Sequence, residues 1–415
     1  MYKETTPWEA NYDVNEIPAY TLPDVLTCQD GTVVKNVEDW EKKRRPELFQ
    51  MFKDVMYGET LPLPDKVRYE VLSEKKDDLD GLALRREVRL HFEMNNGKSH
   101  FADVLLYIPQ NCSGKVPVFT GLTFMGNQVA SADKSLRVTG LSFDKSEEYR
   151  IKSETEMRGF QVRRFPLEEI MKRGYALAFA SYHDIFPDRE DGWSDSVFRL
   201  FFDEKELAEK RPAGFSSIGA WAWGLSRILD YLQTLPEIDG EKAAVYGHSR
   251  LGKSSLWAGV CDERFKLTCV NDSGCGGAAL SRRLFGETLY SMYEKHSIGK
   301  WWFTDNLDAE KALHPETLPL DQHELVALIA PRGVAIHSAS EDRWADPEGE
   351  YLSGFHAGVV SRLYGNNDIL TGGKKPATNV PEGGKHISYF EREGGHDILL
   401  ADWNHYMDMA DQLFK

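Results

Sequence analysis

The sequence predicts an α/β fold, a three-layer sandwich in which helices cover both faces of a mostly parallel central sheet. The first observation is a set of short, continuous apolar runs, the pattern of strands buried on both faces, at 116–122, 175–180, 243–246, 267–270 and 333–337. The second is that helical patterns occur between and beside these runs, at 167–172, 218–235, 251–260, 322–329 and 351–364. Strands that alternate with helices are typical of a parallel sheet, because each connection crosses one of its faces.

The region before residue 116 shows a different pattern. Apolar and polar residues alternate over 67–72, 83–92 and 101–108, and Asn95-Asn96-Gly97 separates the last two segments. Alternation on both sides of an Asn-Gly turn is a strong signal for a β-hairpin. We therefore expect antiparallel strands at the N-terminal edge of the sheet.

Two segments fall outside this scheme. Residues 1–65 are expected to form an N-terminal extension packed on the core, with a helical stretch over 37–57 that Gly58 ends. Residues 66–415 then form the main domain. Within it, about 126–161 is polar, charged and poor in strand signals, so we expect an insertion near the functional site, as loops of this length are usually functional.

The composition excludes several classes of function. The sequence contains 50 Lys and Arg but 66 Asp and Glu. Its net charge of −16 makes the average surface repel phosphate backbones and anionic lipid. No apolar run approaches the roughly 18 residues that a membrane span needs. We expect no nucleic-acid partner, no membrane partner and a monomer.

The N-terminus and the cysteines bear on location. Residues 1–7 lack the apolar region of a signal peptide. We expect a secreted or periplasmic protein whose signal peptide is absent from this sequence, with a cytoplasmic location as the open alternative. The five cysteines include no C-x-x-C pair, so we expect mostly buried thiols and no metal site, with a single disulfide as the open alternative.

The sharpest local motif lies at 243–253, where an apolar run enters a helix through a turn with Gly247 and Ser249. This pattern is typical of a nucleophile elbow, which exposes a serine hydroxyl at a helix N-terminus. The usual G-x-S-x-G spacing is broken, because Leu251 takes the last position and Gly252 follows it. A serine that merely caps an ordinary helix gives the same pattern, and the motif alone does not separate the two.

A serine nucleophile needs a base and an orienting acid, in the chain order Ser, acid, His for this type of elbow. His396 suits the base, because it lies on a Gly-rich loop between a short strand and the last helical segment. Glu341 and Asp342 both follow the late strand at 333–337, and the residues alone do not rank them. Asp272, at the end of the strand after the elbow helix, is a third candidate.

Three segments together resemble the bacterial glucuronoyl esterases, carbohydrate esterases of the α/β-hydrolase fold. They are Gly247-His248-Ser249-Arg250-Leu251-Gly252-Lys253, Asn271-Asp272-Ser273-Gly274-Cys275-Gly276-Gly277 and Glu341-Asp342-Arg343-Trp344-Ala345-Asp346-Pro347. The resemblance extends from about residue 21 to the final helix. In this family the elbow has the sequence Ser-Arg-x-Gly-Lys, which accounts for the position of Gly252. It implies a serine esterase that cleaves esters between 4-O-methyl-glucuronic acid of glucuronoxylan and lignin alcohols.

The resemblance also implies catalytic roles. Ser249 corresponds to the nucleophile, His396 to the base and Arg250 to the arginine that stabilises the oxyanion. The acid comes from the loop after the late strand, where we prefer Asp342 over the adjacent Glu341. Fungal relatives place a glutamate where this chain has Asp272.

Three further positions match the residues that bind the uronate in the family: Lys253, Glu287 and Trp344. Lys253 lies one helical turn after the serine, on the same face of the helix. The implied reaction needs no metal and no organic cofactor.

Other functions stay open from the residues alone. An acetyl-xylan esterase or general carboxylesterase shares the triad but recognises a different acyl group. A prolyl-oligopeptidase-like peptidase has the same triad order, although the N-terminal region lacks the repeated units of a propeller. A non-catalytic carbohydrate-binding protein with a hydrolase fold is the alternative from another class.

Overall fold

The computed structural model describes residues 9–140 and 157–415. Within these ranges, ten strands form one sheet in the order β1-β2-β3-β5-β4-β6-β7-β8-β10-β9. The strands are β1 Lys66–Asp77, β2 Ala83–Glu93, β3 Ser99–Pro109, β4 Val116–Thr123, β5 Ala176–Ser181, β6 Ile238–His248, β7 Phe265–Asn271, β8 Gly333–Ala339, β9 Glu382–Gly383 and β10 Ile387–Arg392.

The sheet is antiparallel at its N-terminal edge and parallel in its centre. Strands β1, β2 and β3 pair antiparallel, and the predicted hairpin is present, with Glu93 opposite Ser99. Strand β3 also pairs antiparallel with β5, after which β5, β4, β6, β7, β8 and β10 are all parallel. The predicted α/β class and the mixed sheet are therefore confirmed.

Helices lie on both faces of the sheet. They are α1 Val37–Asp39, α2 Arg45–Phe52, α3 Asp78–Gly81, α4 Leu167–Lys172, α5 Glu204–Glu209, α6 Ser217–Leu232, α7 Arg250–Cys261, α8 Leu289–Glu294, α9 Gly299–Trp302, α10 Ala309–Leu313, α11 Gln322–Ala327, α12 Pro347–Leu363 and α13 Leu400–Phe414. One hydrophobic cluster contains buried residues of α6 and α7, and a second contains those of α13, so the helices bury opposite faces.

Helix α12 begins four residues before the predicted start at 351. Pro347 occupies its first turn, where the missing N–H of a proline would have no helical partner in any case. Asp346, which precedes it, is in the left-handed conformation at φ 55°. A period-based prediction misses such a start, because the first turn, Pro-Glu-Gly-Glu, contains no large apolar side chain.

Residues 37–57 are continuously helical, with π-helical turns at Trp40–Arg44 and Lys53–Tyr57 around α2. Trp40 and Phe52 are fully buried in the same cluster as α6 and α7. The buried guanidinium of Arg44 also pairs with Glu324 of α11, with Nη2 and Oε1 2.6 Å apart. This helical segment therefore packs against later parts of the chain through both apolar and ionic contacts.

The predicted insertion at 126–161 is described only in part, since 141–156 lie outside the described residues. Its first segment, Asn127–Ala130, is a buried 3-10 turn. The Asn127 side chain donates a 2.8 Å hydrogen bond to the carbonyl oxygen of Asp103 on β3. This end of the insertion is therefore fixed to the sheet.

The parallel strands place their carboxyl ends along one edge. The loops that follow β6, β7, β8 and β10 contain Ser249, Asp272, Asp342 and His396 respectively. Ligands of α/β proteins bind at this edge, because loops from several strands meet there.

Candidate active site

The turn between β6 and α7 has the backbone of a nucleophile elbow. Ser249 has φ 58° and ψ −131°, a strained conformation for a residue other than glycine. Its backbone N–H donates a 2.9 Å hydrogen bond to the carbonyl oxygen of Asn271 on β7. A Cβ at Gly247 would lie 1.9 Å from the carbonyl oxygen of Leu251, so only glycine permits this turn. The interpretation as an ordinary serine cap does not account for this strain, since Ser249 makes no side-chain cap hydrogen bond.

His396 pairs with the acid on the loop after β8. Its Nδ1 lies 2.5 Å from Oδ2 of Asp342. Backbone hydrogen bonds hold the two loops together: the N–H of Ser340 donates to Arg392 and the N–H of Glu341 donates to Gly394, both at 2.9 Å. The Asp342 side chain is 5% exposed and the His396 ring 40%, so the acid is buried while the imidazole reaches the cleft.

The structure distinguishes the two adjacent acids. The side chain of Glu341 is exposed, and its recorded contact with the histidine loop is made by its backbone. Asp342 is buried and bonded to the ring. The side chains of these adjacent residues point to opposite sides of the loop. The local sequence does not show which side faces His396, so it could not rank the two acids.

The elbow and the histidine loop meet through a second imidazole. The rings of His396 and His248, the residue before Ser249, are 4.4 Å apart between centroids. His248 Nδ1 lies 2.5 Å from Oδ1 of Asn271. Burial, with the neighbouring His396 as the next cause, lowers the pKa of His248 well below its usual value. A neutral His248 therefore packs against the candidate base without repelling its protonated form.

Asp272 lies behind this pair. It is fully buried, with a left-handed φ of 43°, and Oδ1 has no hydrogen-bond partner within the described part of the chain. Burial raises its pKa well above the usual value, and the charges of Asp342 and Glu350 raise it further. Asp272, at the position of the fungal acid, therefore lies near the Asp342–His396 pair, and its burial disfavours ionisation.

Asp272, Asp342 and His396 place potential ligand atoms within 4.8 Å of one another. A cation there would need deprotonated oxygens. Oδ2 of Asp342 is already hydrogen-bonded to the His396 ring, and Oδ2 of Asp272 accepts from the cationic Arg392, so both acids have a partner within the protein. The set suits an acid–imidazole pair better than a metal site.

Arg250, next to the candidate nucleophile, is held on one side only. Its Nη1 donates to Oδ2 of Asp188, and its guanidinium carbon lies 4.9 Å from the ring centroid of Trp302. Burial lowers the pKa of Arg250, but Asp188, Tyr182 and Glu287 together outweigh it and the pKa is raised overall. The charge beside Ser249 is therefore permanent.

The three predicted sugar-binding residues lie together. The N–H of Glu287 donates a 2.7 Å hydrogen bond to the carbonyl oxygen of Trp344, which joins their loops. Lys253 Nζ donates to Oε2 of Glu287 at 2.8 Å, and to the carbonyl oxygens of Ser273 and Cys275 at 2.6 and 2.7 Å. An ammonium has three N–H groups, so the protein uses all of them and Lys253 chiefly orients Glu287.

Sequence reasoning did not identify Arg392, at the end of β10. It donates to the carbonyl oxygens of Gly395 and Asp397 on either side of His396, and to the carboxylates of Asp402 and Asp272. Its position in the chain offers one signal, since Arg392 ends β10 two positions before the glycines of the histidine loop.

Comparisons with known proteins bear on the identity of this site. The sequence profile of the family "Glucuronyl esterase, fungi" matches residues 206–364. A carbohydrate esterase named MZ0003, from an unknown prokaryotic organism, is 39% identical over 413 residues, which cover 97% of this chain and 91% of that protein.

Solved structures of similar proteins point to the same family. A glucuronoyl esterase from Solibacter usitatus superposes with a TM-score of 0.87 at 34% identity, covering 97% of this chain and 100% of the other. A promiscuous CE15 esterase from a marine bacterial metagenome gives a TM-score of 0.85 at 37% identity, with coverage of 98% and 100%. The likeness spans nearly all of both chains, as does that to the prokaryotic carbohydrate esterase. This chain belongs to the glucuronoyl esterase family, and its fold is that of an α/β-hydrolase.

Proposed function

We propose that the protein is a serine esterase that hydrolyses the ester between 4-O-methyl-glucuronic acid of glucuronoxylan and an alcohol of lignin. The contact between His396 and Asp342 beside a strained Ser249 carries the hydrolytic part of this proposal. Relatives named 4-O-methyl-glucuronoyl methylesterase support the substrate, among them the one from Schizophyllum commune, 26% identical over 382 residues.

The geometry defines the first chemical step. Nδ1 of His396 is bonded to Asp342, so Nε2 is the nitrogen that takes the proton from the Ser249 hydroxyl. The hydroxyl oxygen then attacks the ester carbonyl, and Arg250 with the amide groups at the start of α7 stabilises the negative oxygen. His396 returns the proton to the leaving alcohol, which departs as the acyl-enzyme forms.

The second step repeats the proton transfers with water. His396 takes a proton from the attacking water, the tetrahedral oxyanion forms again at the same place, and glucuronate leaves as Ser249 recovers its proton. Glu287 and Trp344 hold the uronate ring throughout: the carboxylate accepts from sugar hydroxyls and the indole packs against the ring. The residues named here account for each proton transfer in the cycle.

Turnover of benzyl glucuronate tests the nucleophile. We expect Ser249→Ala to abolish measurable turnover and labelling by a serine-directed fluorophosphonate probe. Ser113→Ala is the matched control, because Ser113 is exposed in the turn between β3 and β4, at the opposite end of the sheet. Unchanged turnover in Ser249→Ala would refute the assignment.

A matched pair of substrates tests the acyl specificity. The proposal requires a higher kcat/KM for methyl glucuronate than for an acetylated xylan or a simple acetate ester. The reverse order would favour an acetyl-xylan esterase or a general carboxylesterase. Probe labelling of Ser249 without turnover of any ester would favour neither esterase.

The proposed substrate also bears on location. No helix in the described ranges is both long and apolar enough to cross a membrane. Because xylan is not a cytoplasmic polymer, we propose that the protein acts outside the cytoplasm, as a secreted or periplasmic monomer. Fractionation of the native host and size-exclusion chromatography check these two points.

A further inference from the structure

Asp188 is a nearly buried carboxylate beside the site that sequence analysis did not assign. It follows β5 in the loop after Tyr182–Asp184, and its side chain is 4% exposed. Oδ1 accepts hydrogen bonds from the indole N–H groups of Trp301 and Trp302 at 2.8 and 2.7 Å. Oδ2 accepts from the Tyr182 hydroxyl at 3.2 Å and from Arg250 Nη1. Four donors thus surround two oxygens.

Such a carboxylate has no freedom to move. An ionised carboxylate only accepts hydrogen bonds and offers about four lone-pair sites, so four donors fill it. Three of the donors belong to buried aromatic side chains, Tyr182, Trp301 and Trp302. The fourth, Arg250, is the exposed member, with 34% of its side chain accessible. The aromatic donors therefore fix the carboxylate, and the carboxylate fixes the arginine.

The rest of the guanidinium remains available. Nη2 of Arg250 donates no hydrogen bond among residues 9–140 and 157–415, and 34% of the side chain is exposed. The group is also flanked by the rings of Trp302 and Phe124, at 4.9 and 5.9 Å from its central carbon. An arginine anchored through one N–H, and flanked by two aromatic rings, keeps its other donors for a ligand.

On this geometry, and resting on the proposed esterase function, we propose that Asp188 is the positioning residue for Arg250. It holds the cation beside Ser249 before substrate arrives, so that no reorganisation is needed as negative charge develops on the ester oxygen. Preorganised donors are worth most when they are fixed in this way. Asp188 acts on the transition state through Arg250 and does not contact the substrate.

Asp188→Asn tests the role. The amide replaces one oxygen by an NH₂ donor, which then opposes either the two indole N–H groups or Arg250 and Tyr182. We expect kcat for benzyl glucuronate to fall about 10- to 100-fold with KM within about threefold, since the lost interaction belongs to the transition state. Asp191→Asn is the matched control: its carboxylate lies in the same loop, is 75% exposed and pairs with Arg189.

A double-mutant cycle separates positioning from a general structural role. In an Arg250→Gln background, Asp188→Asn should cause no further fall in kcat, because its effect passes through the arginine. An equal fall in both backgrounds would overturn the proposal, as would a wild-type kcat in Asp188→Asn.

Asp188→Glu keeps the charge and serves if the asparagine variant does not fold, with thermal melting as the check. Its longer side chain displaces the carboxylate, so a lower kcat at unchanged KM is expected again, and a wild-type kcat would contradict the proposal. Failure of wild-type protein to turn over any glucuronate ester would instead refute the proposed function.

Discussion

The guanidinium of Arg392 donates a 2.6 Å hydrogen bond to the carbonyl oxygen of Gly395, the residue directly before His396. The same group bonds the carbonyl oxygen of Asp397, directly after it, and Oδ2 of Asp402 at 2.9 Å. Both sides of the candidate base are therefore tied to one buried side chain at the end of β10.

We predict that Arg392→Lys lowers kcat about tenfold or more while KM changes little, because a misplaced imidazole loses proton transfer before it loses substrate. A lysine keeps the charge but cannot reproduce the planar fork that spans the loop. Steady-state kinetics on benzyl glucuronate, with thermal melting to confirm folding, measure this. Arg86→Lys, in the ion pair with Glu74 and Glu237, is the control. Equal losses in both variants would contradict the prediction.

Replacement of the two neighbouring acids should have unequal effects. Asp342→Asn is expected to lower kcat by about 10³- to 10⁴-fold, since the orienting carboxylate fixes the tautomer of the base and stabilises its protonated form. Glu341→Gln, on an exposed side chain, should cost far less. Comparison of kcat for the two variants measures this directly. A larger loss at 341 would transfer the role to Glu341.

Glu287→Gln is predicted to raise KM for glucuronate esters about tenfold or more, which is the value of a charge-assisted hydrogen bond. KM for a simple acetate ester should not rise, because that substrate has no uronate hydroxyls. Lys253→Met should raise KM in the same substrate-selective way, since Lys253 holds the Glu287 carboxylate. Equal increases for both esters would indicate a general distortion of the cleft.

Glu350 should make stability depend on pH. Its oxygens accept from the N–H and hydroxyl of Ser273, the N–H of Gly274 and the hydroxyl of Ser338. Burial raises its pKa to about 7 despite these bonds. The folded protein therefore favours protonated Glu350. This contribution to stability is complete below about pH 4.5, the pKa of the group in the unfolded chain, and it is lost as the pH rises through 7.

Glu350→Gln mimics the protonated form and removes this titration. Wild type should lose stability as the pH rises from about 5 to 8, and Glu350→Gln should not. The melting temperature of the variant minus that of wild type should therefore increase over this range by roughly 2 °C or more. Melting curves of both proteins across this range provide the measurement. A constant difference would show that Glu350 does not titrate there.

The sequence predicted most reliably what depends on local pattern. The elbow, the hairpin at Asn95-Asn96-Gly97 and the alternation of strands and helices are all readable within short windows, and the family resemblance is confirmed. The local pattern did not rank Glu341 and Asp342, because the choice depends on which side of a loop faces β10, and only the family resemblance favoured Asp342. The sequence did not identify Asp188 or Arg392 because their contacts are distant along the chain. Asp188 lies 62 residues from Arg250, and Arg392 lies 120 residues from Asp272.

The ion pair between Arg44 and Glu324 joins residues 280 positions apart. During synthesis, the first helical segment therefore leaves the ribosome long before its docking surface exists. Trp40 and Phe52 are fully buried in the finished protein, in a cluster to which α6 and α7 contribute only after residue 217 has been made. Residues 37–57 thus complete their native contacts only after much of the rest of the chain has been made, and until then their apolar side chains are open to chaperones.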